Sequence, residues 1–597
     1  MRSTANRVRR FGTFFTMVAV GLLFVASCGG KGGGSSSSSV DLFKQGKGAF
    51  LGVDIRPSPK TPGEPDAGLT PVRGGTVTYG LEAEDEGGYC LPEAQADISG
   101  EQIIRSVYDT LTAPGADGQY HPFLASKVTH SDDYKTWTIT PRAGVKFSDG
   151  TPLTAQVIKD NLDAYRGALP ARHPLLFIFT FKNIATTAVQ GNDVVVTMHQ
   201  PWVRFDAALF GQARVGIMGE KQLNADPSSC AKDLVGTGPF ILQQWVPNDH
   251  YTMVRNPNYW LKDANGQQLP YLDKIIYKPI PDGPTRLSNL EAGSINAMHT
   301  SSGASIQKLR SDADAGKVNM ITSVHDTEIG HFMFNTAKAP FNDLETRQAV
   351  SMAINREKAN ELVGDGVPPL GQSAFPPGQK GYHDTGYPKY DPAAAKALVA
   401  KLKQEGKPTS FQISATPDSE TVRTAQLAQA DLQKVGFKVT ITTLEQAKLI
   451  NNAISGDFQM VTWRNYGGTN PDNQYVWWYG NGNPVNFARY NDPVINCLLD
   501  VGRSAMDVTG CLKPGSDAVK ADPKIANIDP KDENAVYGAI NDRFATQAYY
   551  VWGAYSPWTI ATATNVHGIL GPPLPDGTKP WYGLLNGDSP AGLWVSK

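Results

Sequence analysis

Three features of the sequence predict an α/β protein built around a parallel sheet. Between 411 and 463, short runs rich in β-branched and aromatic residues alternate with longer amphipathic runs, in the order strand, helix, strand, helix, strand. The helical runs carry boundary residues of the expected chemistry: Pro392 directly after Asp391 at one start, and Gly436 and Gly456 at two ends. No fixed-period repeat is present, which argues against solenoids and propellers.

The chain begins with a segment that belongs to export rather than to the fold. Arg2, Arg7, Arg9 and Arg10 precede an uncharged apolar run from Phe11 to Ala26, the pattern of a signal sequence over residues 1–27. The run ends in Val25-Ala26-Ser27-Cys28-Gly29, which resembles the lipobox at which a bacterial lipoprotein is cut and its cysteine thioether-linked to diacylglycerol. Cys28 is therefore the expected lipidation site, and the protein is expected at the extracytoplasmic face of the cell membrane, anchored to it without crossing it. Residues 28–73 open with glycines and five consecutive serines and continue through Pro57, Pro59, Pro62 and Pro65; this composition predicts a disordered linker.

About 520 residues follow the linker, enough for two or three domains with a substantial core. Removal of four arginines and no acids with the signal shifts the formal charge from -2 to about -6, and that mild acidity argues against nucleic acid as a partner. Once Cys28 is assigned to lipid, Cys90, Cys230, Cys497 and Cys511 remain, an even number that suggests two disulfides in an exported chain. Three pairings are open. The 14-residue separation of Cys497 and Cys511 favours a local loop closure, leaving Cys90 with Cys230. None of the spacings resembles a zinc site.

The folded body is expected to open with a strand at 74–80. A second unit runs from Trp137 through the turn Ser148-Asp149-Gly150-Thr151 into a helix over Ala155 to Arg166, with Thr154 as N-cap. Further along, Asn342 or Asp343 caps a helix reaching Ile354, and Pro392 starts another. Strands are then predicted at 411–416, 437–442 and 458–463, with helices at 419–435 and 445–454 between them. Right-handed crossovers make that sheet parallel, and ligands of open α/β sheets collect beyond the carboxyl ends of the strands. Trp463, Arg464, Asn465 and Tyr466 fall there.

Several segments resemble one family. They are Gly144-Val-Lys-Phe-Ser-Asp-Gly-Thr-Pro-Leu-Thr-Ala155, Gly236-Thr-Gly-Pro-Phe240 with Trp245 and Pro247-Asn248, Arg255-Asn-Pro-Asn-Tyr-Trp260, Tyr271-Leu-Asp-Lys274, Phe334-Asn335 and Arg347-Gln-Ala-Val-Ser-Met-Ala-Ile-Asn-Arg356. In this order they are similar to the family 5 extracytoplasmic solute-binding lipoproteins of ABC importers, which include dipeptide-, oligopeptide- and nickel-binding proteins. The cysteine pairing is also similar to that of the dipeptide-binding branch.

The resemblance implies a two-lobed, periplasmic-binding-protein-like fold with mixed sheets, a hinge and an extra subdomain in the first lobe. It implies lobe I at 74–325 with the subdomain at about 111–234, lobe II at 326–555, and a return to lobe I at 556–597. A peptide or other small solute would be enclosed between the lobes by a monomer and passed to a permease and its ATPase. No cofactor, resident metal or catalytic residue is expected. Gly150 and Gly238 read as turn positions, Trp260 as core, and Arg347 and Arg356 as helix-surface or interlobe residues.

In the peptide-binding members an aspartate after the third strand of the second lobe pairs with the peptide's amino terminus. Here the stretch Trp463 to Asp472 has no acid before Pro471; alignment from either end puts Tyr466 or Gly467 at that position. Arg464 is a cation at the crevice and suits a bidentate grip on a carboxylate, so an anionic solute is one expectation and pairing with a neighbouring protein acid the other. Trp477 and Trp478 are candidate aromatic contacts, one of them expected in the core, and Glu82, with Glu84 and Asp85, is a candidate from the opposite lobe. His299–Ser302 and Glu328–His331 lie near the expected lobe crossover.

Rival functions have less support. The sequence contains no GxSxG, HExxH or GxxxxGK[ST] motif, so the common hydrolase and nucleotide signatures are missing. A nickel- or haem-binding protein of the same fold and a ligand-sensing receptor are the alternatives; His325 and His331, six apart, do not share a helix face.

Overall fold

A computed structural model describes residues 53–61, 64–85, 87–323, 328–465, 468, 470–584 and 589–597. The signal segment, Cys28, the linker up to residue 52, His325, Tyr466 and Gly467 lie outside them.

Two sheets organise the protein. The first has eight strands in the order Val53–Arg56, Val318–Ser323, Thr559–Ala563, Ala297–Thr300, Thr76–Leu81, Lys274–Pro279, His250–Arg255 and Phe240–Val246. Thr76–Leu81 runs parallel to both of its neighbours, and the remaining pairs are antiparallel. The second sheet has five strands, ordered Lys438–Thr443, Ser410–Ala415, Met460–Asn465, Ile329–Phe334 and Tyr550–Tyr555. Its first three are parallel, as the alternating pattern predicts, and the last two are antiparallel additions. Apolar clusters pack on both of its faces. Phe332, Phe334, Phe411 and Ile413 pack into one apolar cluster; Met333, Tyr550 and Trp552 pack into another.

A separate four-stranded sheet of Ala125–His130, Thr136–Pro141, Asp193–Met198 and Ile184–Gln190 forms the subdomain of the first lobe. The chain passes from the eight-stranded to the five-stranded sheet between Ser323 and Ile329, and returns between Tyr555 and Thr559. The residues flanking the two crossings are tied together: Ser323 N–H donates to the Trp558 carbonyl and Ser556 N–H to the Glu328 carbonyl, both at 2.9 Å. The result is a two-lobed α/β protein with a double-stranded connection between lobes.

Local chemistry accounts for most of the helix ends. The Thr154 hydroxyl accepts from Val157 N–H, Asp343 caps Leu344–Ala353, and the Asp391 carboxylate accepts from Ala393 and Ala394 at the start of Pro392–Gln404. Ser419–Val435 ends on Gly436 with φ of 106°, a left-handed conformation that glycine adopts without penalty.

Four expectations need correction. Residues 53–56, placed in the disordered linker, form an edge strand, because Val53 and Ile55 bury their side chains beside Val318–Ser323. Further contacts follow, since Asp66 accepts from Gly568 N–H and Glu64 pairs with Lys579. The proline-rich composition was outweighed by alternating apolar residues too few to register as a strand. Gly238 is not a positive-φ turn; a Cβ there would lie 2.5 Å from the Val107 carbonyl carbon, so close backbone packing requires the glycine. Trp260 is only partly buried, and its indole N–H donates to Asp109. Arg347 and Arg356 are neither surface groups nor interlobe partners: they donate to carbonyls of Phe341 and Gln547, and of Gly371 and Trp552, tying loops within the second lobe.

Candidate functional site

Every parallel strand next to the gap between the two sheets ends facing it. Glu82 and Glu84 follow Thr76–Leu81, Ser301 and Ser302 follow Ala297–Thr300, Asp418 follows Ser410–Ala415, and Glu445 follows Lys438–Thr443. Arg464 and Asn465 close Met460–Asn465. These residues line a cavity of about 540 Å³ between the lobes, within the range of sites for small organic ligands. This is the crevice position that the strand order predicts.

The lobes meet around it through polar pairs. Arg464 Nη2 donates to Glu82 Oε1 at 2.6 Å, Nη1 donates to Ser301 Oγ at 3.3 Å, and Nε lies 3.3 Å from Glu328 Oε1. The guanidinium also stacks 5.1 Å from the ring centre of Trp558. On the opposite rim Ser302 Oγ donates to Glu420 at 2.5 Å, and Ser419 Oγ donates to Asp282 at 3.0 Å. Of the two expectations for Arg464, pairing with acids of the protein itself is the one the geometry shows. Its charge is already matched, so it does not stand as an open anion clamp.

The wall is acidic. Among the described lining residues, seven carboxylates face three arginines, Arg286, Arg356 and Arg464, and the first two of these donate to backbone carbonyls rather than to the acids. Burial pushes the Glu328 carboxyl up to about 7 despite the opposing charge of Arg464, and burial likewise raises Asp97 and Glu420. Burial lowers His331 to about 4 and keeps its imidazole neutral.

The other end of the cavity is apolar. Trp463, Trp477, Phe487, Leu449 and Ile450 line it from the second lobe, and Leu176 reaches it from the first. Trp463 meets Phe487 edge to face at 5.4 Å, and its N–H donates to Asn465 Oδ1 at 3.0 Å. The structure thus gathers Glu82, Trp463, Arg464, Asn465 and Trp477 at one cavity. Trp478 is a correction. Tyr475–Trp478 is a helical turn, which sends Trp478 away from its neighbour into the core between Phe375 and Phe544, where it is fully buried. Asp85 also lies off the lining, and its Oδ1 accepts from Asp97 N–H.

Sequence reasoning missed Asp418, Glu420, Leu449, Ile450, Phe487 and Leu176. Asp418 and Glu420 were within reach of the strand-end rule, since they directly follow the predicted first parallel strand. Leu176 had no such signal, because its subdomain reaches the second lobe only through tertiary packing. The cysteines pair as Cys90–Cys230 and Cys497–Cys511. No group of three or more His, Cys, Asp or Glu side chains suited to a metal ion occurs among the described residues.

Two lobes with a double crossing, and a lined cavity enclosed between them, define the class of extracytoplasmic binding proteins. Residues 119–487 match the model of the family described as bacterial extracellular solute-binding proteins, family 5 middle. The chain belongs to this family. It is 28% identical over 377 residues to the nickel-binding periplasmic protein of Escherichia coli strain K12, an alignment spanning 60% of this chain and 70% of that one. Its fold is similar to that of the periplasmic binding protein AgaA of A. tumefaciens R10 in complex with agropinic acid, with a TM-score of 0.73, 24% identity, and coverage of 88% of this chain and 99% of the other. It is likewise similar to that of the oligopeptide-binding protein AppA of Bacillus subtilis in complex with a nonapeptide, with a TM-score of 0.72, 20% identity, and coverage of 88% and 100%. The protein is a solute-binding component of an ABC importer.

Proposed function

We propose that this protein captures a peptide, or a solute of similar size bearing a positively charged nitrogen, and delivers it without chemical change to a permease. The observation that carries the reading is the arrangement of Glu82 and Glu328 around the guanidinium of Arg464, inside a wall where carboxylates outnumber cations. A solute ammonium entering beside Arg464 meets the Glu82 carboxylate, placed to accept its hydrogen bond, and its charge would favour the ionised form of Glu328. The oligopeptide complex of AppA, a protein of the same fold, agrees with a peptide-sized cargo.

In this reading the chain acts as a monomer, held at the outer face of the membrane by lipid on Cys28. Lobe I runs from 74 to 325 and resumes at 556–597, extended back to residue 53, and lobe II covers 326–555. No described helix is long and apolar enough to cross a membrane, which suits attachment through acyl chains.

Mass spectrometry of small molecules released from gently purified protein tests the cargo, and calorimetry with a peptide and its N-acetylated form tests the charge. Tighter binding of the free amine is expected. Release of solutes whose only charges are carboxylates, or equal affinity for both peptides, would overturn the reading.

A further inference from the structure

Strand interiors disfavour glycine, which gives up the most backbone freedom on folding and leaves no side chain to pack. The described strands contain three glycines, Gly80, Gly330 and Gly553. Packing demands two of them. A Cβ on Gly80 would lie 2.7 Å from Ile295 Cδ1, and one on Gly553 would lie 2.7 Å from the Gly330 carbonyl oxygen. A Cβ on Gly330 would meet, beyond its chain neighbours and among the described residues, only the Ala554 carbonyl oxygen at 3.5 Å, an ordinary contact. Its φ is not left-handed, so the backbone does not require glycine either.

The open space in front of Gly330 belongs to the cavity. Gly330 lines it and is the one residue of Ile329–Phe334 that is not buried. It is the cross-strand partner of Arg464, and opposed residues of an antiparallel pair project to the same face. From that face Arg464 reaches Glu82 and Ser301 of the other lobe. On the far side of Gly330 the ladder is deformed: the register with Tyr550–Tyr555 shifts between Ile329 and His331, so that Gly553 and Ala554 together oppose Gly330. Bulges of this kind recur beside binding sites. Neither Gly330 nor Gly553 is left-handed, so the bulge does not explain the bare position.

We propose that Gly330 is a specificity-determining position of the solute site: the part of the solute adjoining its charged nitrogen rests on the Gly330 backbone beside Arg464, in space that any side chain at 330 would occupy. The protein itself makes no use of that space, whereas a bound group there would approach the strand as closely as only glycine allows. The inference rests on the reading of this cleft as the solute site and adds the surface on which the solute lies.

The test uses Gly330→Val in the purified full chain. A β-branched residue suits a strand better than glycine, so the urea midpoint is expected at or above that of wild type, with an unchanged radius of gyration of the unliganded protein. Calorimetry with the tripeptide Ala-Phe-Ala is expected to show binding at least about fivefold weaker, the smallest effect of overfilling a packed site. A second readout needs no solute: the Gly330→Cys thiol should react in the native protein with 2-aminoethyl methanethiosulfonate, beyond any reaction of wild type. Wild-type affinity in Gly330→Val, a loss of affinity that comes with a lowered midpoint or an altered radius, or an unreactive thiol would overturn the proposal. If Ala-Phe-Ala fails to bind wild type while the thiol reacts and the valine variant keeps its stability, the peptide cargo is refuted and the open position at Gly330 stands.

Discussion

Arg464 and Glu82 sit on different lobes, one at the end of Met460–Asn465 and the other just past Thr76–Leu81, yet their side chains meet at 2.6 Å. With Ser302–Glu420 and Ser419–Asp282 they close the cleft through polar contacts at its lining and rim. Arg464 keeps 38% of its side chain exposed, and pairs of that kind contribute only about 0.2–1 kcal/mol each. Closure built from such contacts is weak enough for a solute to tip, as a binding protein requires.

Arg464→Met should therefore shift the unliganded protein toward the open state without unfolding it. The radius of gyration from small-angle scattering is expected to rise relative to wild type, with the denaturant midpoint nearly unchanged. An unaltered radius would show that the pair does not hold the lobes.

Two buried groups should give opposite pH responses. Glu328 is held at about 7 against an ordinary 4.5, so between these values the unfolded chain has released a proton that the folded chain keeps. Its contribution to stability is present below pH 4.5 and is lost as pH rises through 7. His331 is held at about 4 against 6.5, so in that window the unfolded chain binds the proton and the folded chain does not. Its contribution is present above pH 6.5 and is lost as pH falls through 4. Relative to wild type, Glu328→Gln should gain stability as pH rises from 4.5 to 7, and His331→Phe should lose it as pH rises from 4 to 6.5. Urea unfolding at several pH values reads both slopes, and slopes of the same sign would refute the assignment.

The two disulfides should contribute unequally. Cys497–Cys511 spans 14 residues and Cys90–Cys230 spans 140. Loop-closure entropy assigns about 3 kcal/mol to a loop near the shorter length and about 5 kcal/mol to one near the longer. Paired serine substitutions should lower the denaturant midpoint more for Cys90 and Cys230 than for Cys497 and Cys511. The reverse order would mean that native-state packing, not chain entropy, dominates.

Much of the second lobe was legible because its parallel strands and helices obey local rules. The helix at 419–435 has its predicted limits, and the three parallel strands start within two residues of theirs. The antiparallel strands Ile329–Phe334 and Tyr550–Tyr555 were not predicted, since joining that sheet depends on partners more than 120 residues away. Trp463, Arg464 and Glu82 could be found because strand ends mark the crevice. The partner of Arg464 could not be chosen, because two acids from distant segments reach it only after the lobes close. One of the two adjacent tryptophans was expected in the core, and the helical turn Tyr475–Trp478 decides that it is Trp478.

A second interlobe contact lies away from the cavity lining. The Asp472 carboxylate accepts from Trp202 Nε1 at 2.8 Å and from Arg503 Nε at 3.0 Å, and the Arg503 guanidinium stacks 3.4 Å from the ring centre of Tyr475 and 4.4 Å from that of Trp202. All four side chains are buried. Unlike the pairs around the cleft, this one has no water to take over when a partner is removed. Asp472→Ala removes the carboxylate hydrogen-bonded to the buried Arg503, leaving only the charge of the nearby Asp500 against it, and should cost about 3 kcal/mol of stability. Trp202→Phe removes one hydrogen bond but keeps the ion pair, and should cost about 1–2 kcal/mol. Chemical denaturation of the two variants measures the ratio, and equal losses would mean that packing of the indole, rather than the buried charge pair, is what Asp472 supports.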